Sequence, residues 1–152
     1  MRTRTRFLCG TIVIVKYFFR AAAAQVKGWL ADLPVRSAVC DGIPYYWMEE
    51  GQTPATAMPA CIFLAGFDAL MLGYEKKESL FLPQPYLRGI FNLAGIVMPA
   101  VLADGRVVGR WKYKNRKCTV TLFEDTPQIR KIVSDYAQQM WTDLRAVMFS
   151  EA

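Results

Sequence analysis

Apolar and polar positions divide the chain into a short helical N-terminal stretch, a turn-rich middle and a longer strand-rich C-terminal part. In residues 17–33 the apolar positions fall at helical spacing, with Val26, Trp29, Leu30 and Leu33 at i, i+3, i+4 and i+7, and Pro34 follows as a stop. This predicts one amphipathic helix. Residues 35–40 then alternate, Asp41-Gly42 supplies a hairpin turn, and residues 43–48 continue as a second strand. Residues 49–59, with Gly51, Thr53, Pro54, Thr56 and Pro59, read as a linker. Beyond it, residues 60–65 are a short apolar run suited to a buried strand. Residues 67–74 lead through Gly73 into the charged group Glu75, Lys76, Lys77 and Glu78, and Pro83 and Pro85 precede a short helix over 86–91.

The clearest pattern is a three-stranded meander over residues 96–124, turning at Asp104-Gly105 and Asn115-Arg116. If both are two-residue loops, Leu102 faces Val107, Ala100 faces Gly109, Met98 faces Trp111, Trp111 faces Val120 and Tyr113 faces Cys118. One side of the sheet is then apolar throughout. Pro99 predicts an edge or a bulge in the first strand, because proline donates no ladder bond. Thr126 as N-cap and Pro127 at the first helical position open a last helix, whose stripe runs Ile129, Ile132, Val133, Tyr136, Met140, Leu144 and Val147. The expected architecture is α+β. Residues 1–16 are an unassigned basic and apolar start, residues 17–48 a helix and hairpin in the order of the last helix and wing of a winged-helix domain, residues 49–59 a linker, and residues 60–152 a small antiparallel, barrel-like sheet closed by a C-terminal helix.

A net charge of +6 on 152 residues favours a polyanionic partner, with nucleic acid first. The four cysteines, Cys9, Cys40, Cys61 and Cys118, are widely spaced, and the chain has no histidine. That pattern predicts no structural metal, and free thiols in a reducing, cytoplasmic compartment. Arg2, Arg4 and Arg6 followed by the apolar residues 7–15 imitate a secretion signal, yet Lys16 and Arg20 interrupt the run short of the ~20 residues a membrane span needs.

The middle strand of the meander places Arg106, Arg110, Lys112 and Lys114 opposite Val107, Trp111 and Tyr113, and Arg116 and Lys117 carry the charge around the turn. Such a ribbon serves a phosphate backbone or is a solvated face that keeps an edge from aggregating. There is no P-loop, G-x-G-x-x-G or G-x-S-x-G spacing, and histidine-dependent catalysis is excluded by composition. Asp68, set among Phe67, Leu70 and Leu72, is a turn former or a functional carboxylate.

Two blocks carry a family resemblance: Phe67-Asp68-Ala69-Leu70-Met71-Leu72-Gly73-Tyr74, and the run from Met98 through Pro99, Asp104, Gly105 and Gly109 to Trp111. With the stretch from Tyr17 to Gly42, they resemble the winged-helix DNA-binding family that includes bacterial glycosylases acting on alkylated and crosslinked DNA. The resemblance implies double-stranded DNA as partner and no cofactor. It also implies that this chain matches only the C-terminal portion, a truncated form of an architecture with further winged helices in front. Family enzymes carry a glutamine followed two positions later by glutamine or aspartate. Gln25-Val26-Lys27 and Gln139-Met140-Trp141 lack that pattern, so no catalytic residue is carried over. The leading expectation is a non-catalytic DNA-binding protein, and the alternative is an interaction module that needs a partner chain or a second copy.

Overall fold

A computed structural model describes residues 9–40, 42–48, 58–74, 76 and 79–151. The arginines at positions 2, 4 and 6, Asp41, most of the expected linker, and Glu75, Lys77 and Glu78 lie outside the described residues. Contacts divide the chain into two compact units, Met1–Ala57 with Gly73–Glu75, and Met58–Leu72 with Lys76–Ala152.

The first unit runs β1 (Cys9–Thr11), α1 (Ile12–Phe19), α2 (Ala23–Ala31), β2 (Val35–Cys40) and β3 (Ile43–Met48). Its sheet has the order β1-β3-β2, all antiparallel. The boundary expected at residue 16 falls inside α1, and β1 pairs with β3, so the described residues before 17 belong to this unit. The single helix expected over residues 17–33 is two helices. Arg20 takes a left-handed conformation (φ 49°), and the Ala21 N–H reaches back to the Lys16 carbonyl at 3.1 Å. This six-to-one bond closes α1 in the Schellman manner. Gln25 then caps α2 from inside, its side chain accepting from the Ala22 N–H at 2.9 Å. Helical periodicity continues across such a break, so the apolar spacing gave no sign of it.

The second unit contains β4 (Cys61–Leu64), the one-turn helix α3 (Ala69–Leu72), a 3-10 turn at Gln84–Tyr86 running into α4 (Leu87–Ile90), β5 (Ala100–Ala103), β6 (Arg106–Lys114), β7 (Lys117–Leu122), α5 (Pro127–Met140) and β8 (Ala146–Glu151). The five strands lie in chain order, β4-β5-β6-β7-β8. The sheet is open and mixed rather than barrel-like and antiparallel, because β8 runs parallel to β7 after the α5 crossover. Both expected two-residue turns are present. Asp104 and Gly105, then Asn115 and Arg116, have positive φ throughout, the primed geometry that matches strand twist.

The register differs from expectation at one place. Leu102 pairs with Val107 as expected, but Val101 pairs with Gly109 and Ala100 with Arg110, which leaves Val108 as an extra residue in β6. This bulge reverses which side of the sheet each later residue faces. Val107 therefore joins Leu64, Ala100, Leu102, Ile90, Phe91 and Val97 in one core, while Trp111 and Tyr113 pack with Cys118, Val120 and Val133 in the other. Pro99 stands just before β5, which is an inner strand and not an edge.

Thr126 caps α5 as expected, accepting from the Ile129 N–H at 3.2 Å, but the helix stops at Met140. There Trp141 stacks on Tyr113 (4.9 Å between ring centres, 17° between planes) and meets Phe63 and Trp111, which turns the chain out of the helix. Leu144 and Val147, expected on the helical stripe, lie beyond it. Val147 and Phe149 alternate with exposed Met148 and Ser150 as strand residues.

Cys61 and Cys118 are free and buried. Burial pushes both thiols up to about 11, with the Asp104 charge and Cys118 adding to the shift at Cys61. Thiolate is the reactive form. In a Cys9→Ser/Cys40→Ser background, the native protein is expected to react with a thiol-specific alkylating agent near pH 8 roughly 100-fold more slowly than the unfolded chain. Equal rates would show these thiols to be accessible.

A candidate nucleic-acid interface on the second unit

Residue by residue, the expected basic ribbon is partly assembled. Arg110 pairs with Ala100 on one side and Thr121 on the other, Lys112 with Thr119, and Lys114 with Lys117. Strand pairs share a face, so Arg110, Lys112, Lys114 and Lys117 stand together on the side of the sheet opposite α5. Thr119, Thr121, Met148 and Ser150 complete that face, with the Thr121 and Ser150 hydroxyls 3.1 Å apart. Ser150 joins them only through the pairing of β8 with β7, which the sequence pattern does not reveal. No carboxylate of β6, β7 or β8 shares the face, and none of the four cations has an ion-pair partner among the described residues. Lys114 and Lys117 sit directly across from each other, a like-charge pairing that costs a few tenths of a kcal/mol unless an anion lies between them.

Two of the six expected cations are not part of this group. Arg106 precedes the bulge and pairs with Ala103, so it lies on the α5 side of the sheet. Arg116 sits in the turn, where its Nε lies 3.2 Å from Asp143 and its carbonyl accepts from the Arg145 N–H at 2.8 Å. Asp143 also accepts from the Tyr113 hydroxyl at 2.7 Å, which holds that phenol above its usual range. Arg116 and Tyr113 thereby fasten the turn to the segment that leads into β8.

The family-block residues resolve into structural roles in this unit. Asp68 is a turn former: its Oδ1 accepts from the Leu70 N–H at 2.8 Å, and its carbonyl from Met71 and Leu72. Asp104 and Gly105 form a hairpin turn with positive φ. Gly109 does allow a close approach, but toward Thr121 and Leu122 on β7 rather than Ala100. Trp111 donates its indole N–H to the Leu64 carbonyl at 2.8 Å. Phe67 is different: it is half exposed and has a φ of 58°, an unusual conformation for a bulky side chain. Gly73 and Tyr74 group with the first unit. Among the described residues no cluster of cysteine and carboxylate side chains could hold a metal ion, and no helix is long and apolar enough to cross a membrane.

The open mixed sheet thus has one face packed on α5, while the other is shared between the buried core over β4, β5 and Val107 and the cations of β6 and β7. Residues 9–143 match the family model described as DNA glycosylase AlkZ-like, and the chain belongs to that family. It is 36% identical over 110 residues to the interstrand DNA cross-link repair glycosylase of Streptomyces sahachiroi, an overlap of 69% of this chain and 30% of that protein. The solved structure of Streptomyces sahachiroi DNA glycosylase AlkZ has the same fold over 94% of this chain, with a TM-score of 0.67 and 22% identity, and the match spans 42% of that chain. The chain thus spans less than half the length of the relatives it matches.

Proposed function

We propose that this chain binds duplex DNA through phosphate contacts along Arg110, Lys112, Lys114 and Lys117, and serves the repair of alkylated or crosslinked DNA as a non-catalytic, C-terminal part of a winged-helix glycosylase-like architecture. The observation that carries the reading is a group of four cations with flanking hydroxyls that, among the described residues, have neither an ion-pair partner nor a carboxylate from β6, β7 or β8 on their side of the sheet. Phosphate oxygens are the ligands such a row accommodates, since each cation releases counterions from the duplex when it lands. The first unit supports the winged-helix part, because two helices followed by a hairpin, with β1 beside β3, is an order that a wing requires. The curated relative is named a cross-link repair glycosylase, and this chain contains no glutamine followed two residues later by glutamine or aspartate.

Fluorescence anisotropy with plain and alkylated duplexes across a salt series tests this. Arg110→Ala and Lys112→Ala are each expected to weaken binding to all sequences and to lower the slope of log affinity against log salt by about 0.9. A binding constant indifferent to both substitutions overturns the phosphate-contact reading, and release of a free alkylated base by the chain overturns the non-catalytic one.

A second reading rests on the first unit. Among its described residues Val26 alone is a buried apolar side chain, whereas Phe19 and Trp29, edge to face at 6.1 Å, and Leu33 stay exposed. An apolar surface of this kind suits a partner chain or a second copy. Concentration-dependent dimerisation with weak DNA binding selects it.

A further inference from the structure

The second unit also displays apolar side chains on two adjoining turns. Residues 92–96 form a closed turn. The Asn92 N–H donates to the Ile96 carbonyl (3.1 Å), the Ile96 N–H to the Asn92 side-chain oxygen (2.8 Å), and the Gly95 N–H to the Asn92 carbonyl (3.3 Å). At its tip Leu93 is 88% exposed and Ile96 45%. Phe91 and Val97 pair at the base of this turn and belong to the buried core, so the tip stands on a fixed foundation. The neighbouring turn carries Phe67, 56% exposed, whose N–H donates to the Val97 carbonyl at 3.3 Å.

An aromatic residue held with positive φ costs of order 1–2 kcal/mol, and this one recovers little of it by burial. A Cβ on Gly66 would lie 3.7 Å from Pro99 Cδ, and the Pro99 carbonyl accepts from the Trp111 N–H at 3.1 Å. The residue preceding Phe67 therefore lies beside Pro99, which leads directly into Ala100, the strand partner of Arg110. The core beneath the two turns covers the same side of the sheet from which Arg110 projects, since Arg110 pairs with Ala100 and Ala100 lies in that core. Lys76, over the Phe91 ring at 5.0 Å, and exposed Arg88 add positive charge around the turns.

We propose that Phe67 and Leu93 form an apolar wedge that enters the base stack of duplex DNA lying along Arg110 and Lys112. The assignment rests on the DNA-binding reading above and deepens it. Apolar side chains on rigid tips flanked by cations are what unstacking a base step requires: the cations hold the backbone, and the apolar tip occupies the gap that the separated bases leave. Helically distorted or damaged steps open at lower cost, so the wedge also gives the site a preference for weakened duplex.

The test is one titration with two readouts: anisotropy of a labelled duplex, and fluorescence of single 2-aminopurines placed at successive positions. The native chain is expected to raise the emission of one position about twofold or more as that base loses its stacking partner. Phe67→Ala/Leu93→Ala is expected to remove most of this rise at saturation while leaving the salt slope unchanged. Both residues are exposed, and an unaltered thermal midpoint confirms that the variant is folded. Binding with no rise at any position, or an undiminished rise in the variant, overturns the wedge and leaves phosphate binding standing. No binding at low salt overturns both. Self-association of the native chain that Leu93→Ser abolishes assigns the turns to a protein contact and overturns the wedge.

Discussion

Gly109→Ala is expected to destabilise the second unit by about 2–3 kcal/mol and to lower its thermal midpoint by roughly 10 °C or more. A Cβ at this position would lie 2.5 Å from the Thr121 carbonyl oxygen and 3.2 Å from the Leu122 Cα. Both contacts are backbone atoms of the neighbouring strand, so no side-chain rotation relieves them. The approach is tight because β6 bulges at Val108, immediately before, and the Val108 carbonyl is held by the Phe123 N–H at 2.8 Å. Calorimetry on the variant decides it. A midpoint within a degree or two of the parent would mean that β7 shifts freely and that the bulge is not fixed.

Trp111→Ala is expected to cost about 2–3 kcal/mol, below the ~3–5 kcal/mol of a fully buried aromatic because this indole is only partly buried. The indole meets Phe63 edge-on at 5.7 Å and Trp141 at 5.2 Å, and donates to the Leu64 carbonyl of the edge strand. The cluster joins β4, β6 and the exit of α5, so its loss loosens the sheet edge and the crossover together. Trp111→Phe separates the contributions: it keeps a ring and loses the N–H, and about 1 kcal/mol is expected. Equal losses for the two variants in denaturant titrations would assign the effect to the hydrogen bond alone.

Local chemistry was well written in the sequence, and pairing at a distance was not. The turns at Asp104-Gly105 and Asn115-Arg116 demand positive φ, which Asp104, Gly105 and Asn115 tolerate, and the Thr126-Pro127 helix start carries its own cap, so these features are legible. The break at Arg20 was hidden because neither glycine nor proline marks it, and apolar spacing continues through it. The stripe through Leu144 and Val147 fits a helix as well as a strand. What decides for the strand is a place beside β7 that no local pattern reveals.

The candidate interface shows the same division. Alternation located Arg110, Lys112 and Lys114 on one side of their strand, and the structure keeps them together. It could not foresee that an extra residue at position 108 would send Arg106 to the other side, or that Asp143 would engage Arg116. Exposure of Phe67 and Leu93 was equally invisible, since apolar residues among apolar neighbours read as core.

The extra residue in β6 makes odd and even positions exchange duties partway along one strand. Ahead of it, the odd-numbered Val107 serves the core that includes Met71, Leu82, Ile90 and Val97. After it, odd-numbered Trp111 and Tyr113 serve the α5 core, and the even positions are released to carry charge. The packing of each half therefore rests on a different core, with the bulge at Val108 as the boundary between them. A one-residue deletion there would be far worse than any substitution, because it would turn the lysines toward the aromatic cluster and the tryptophan toward water.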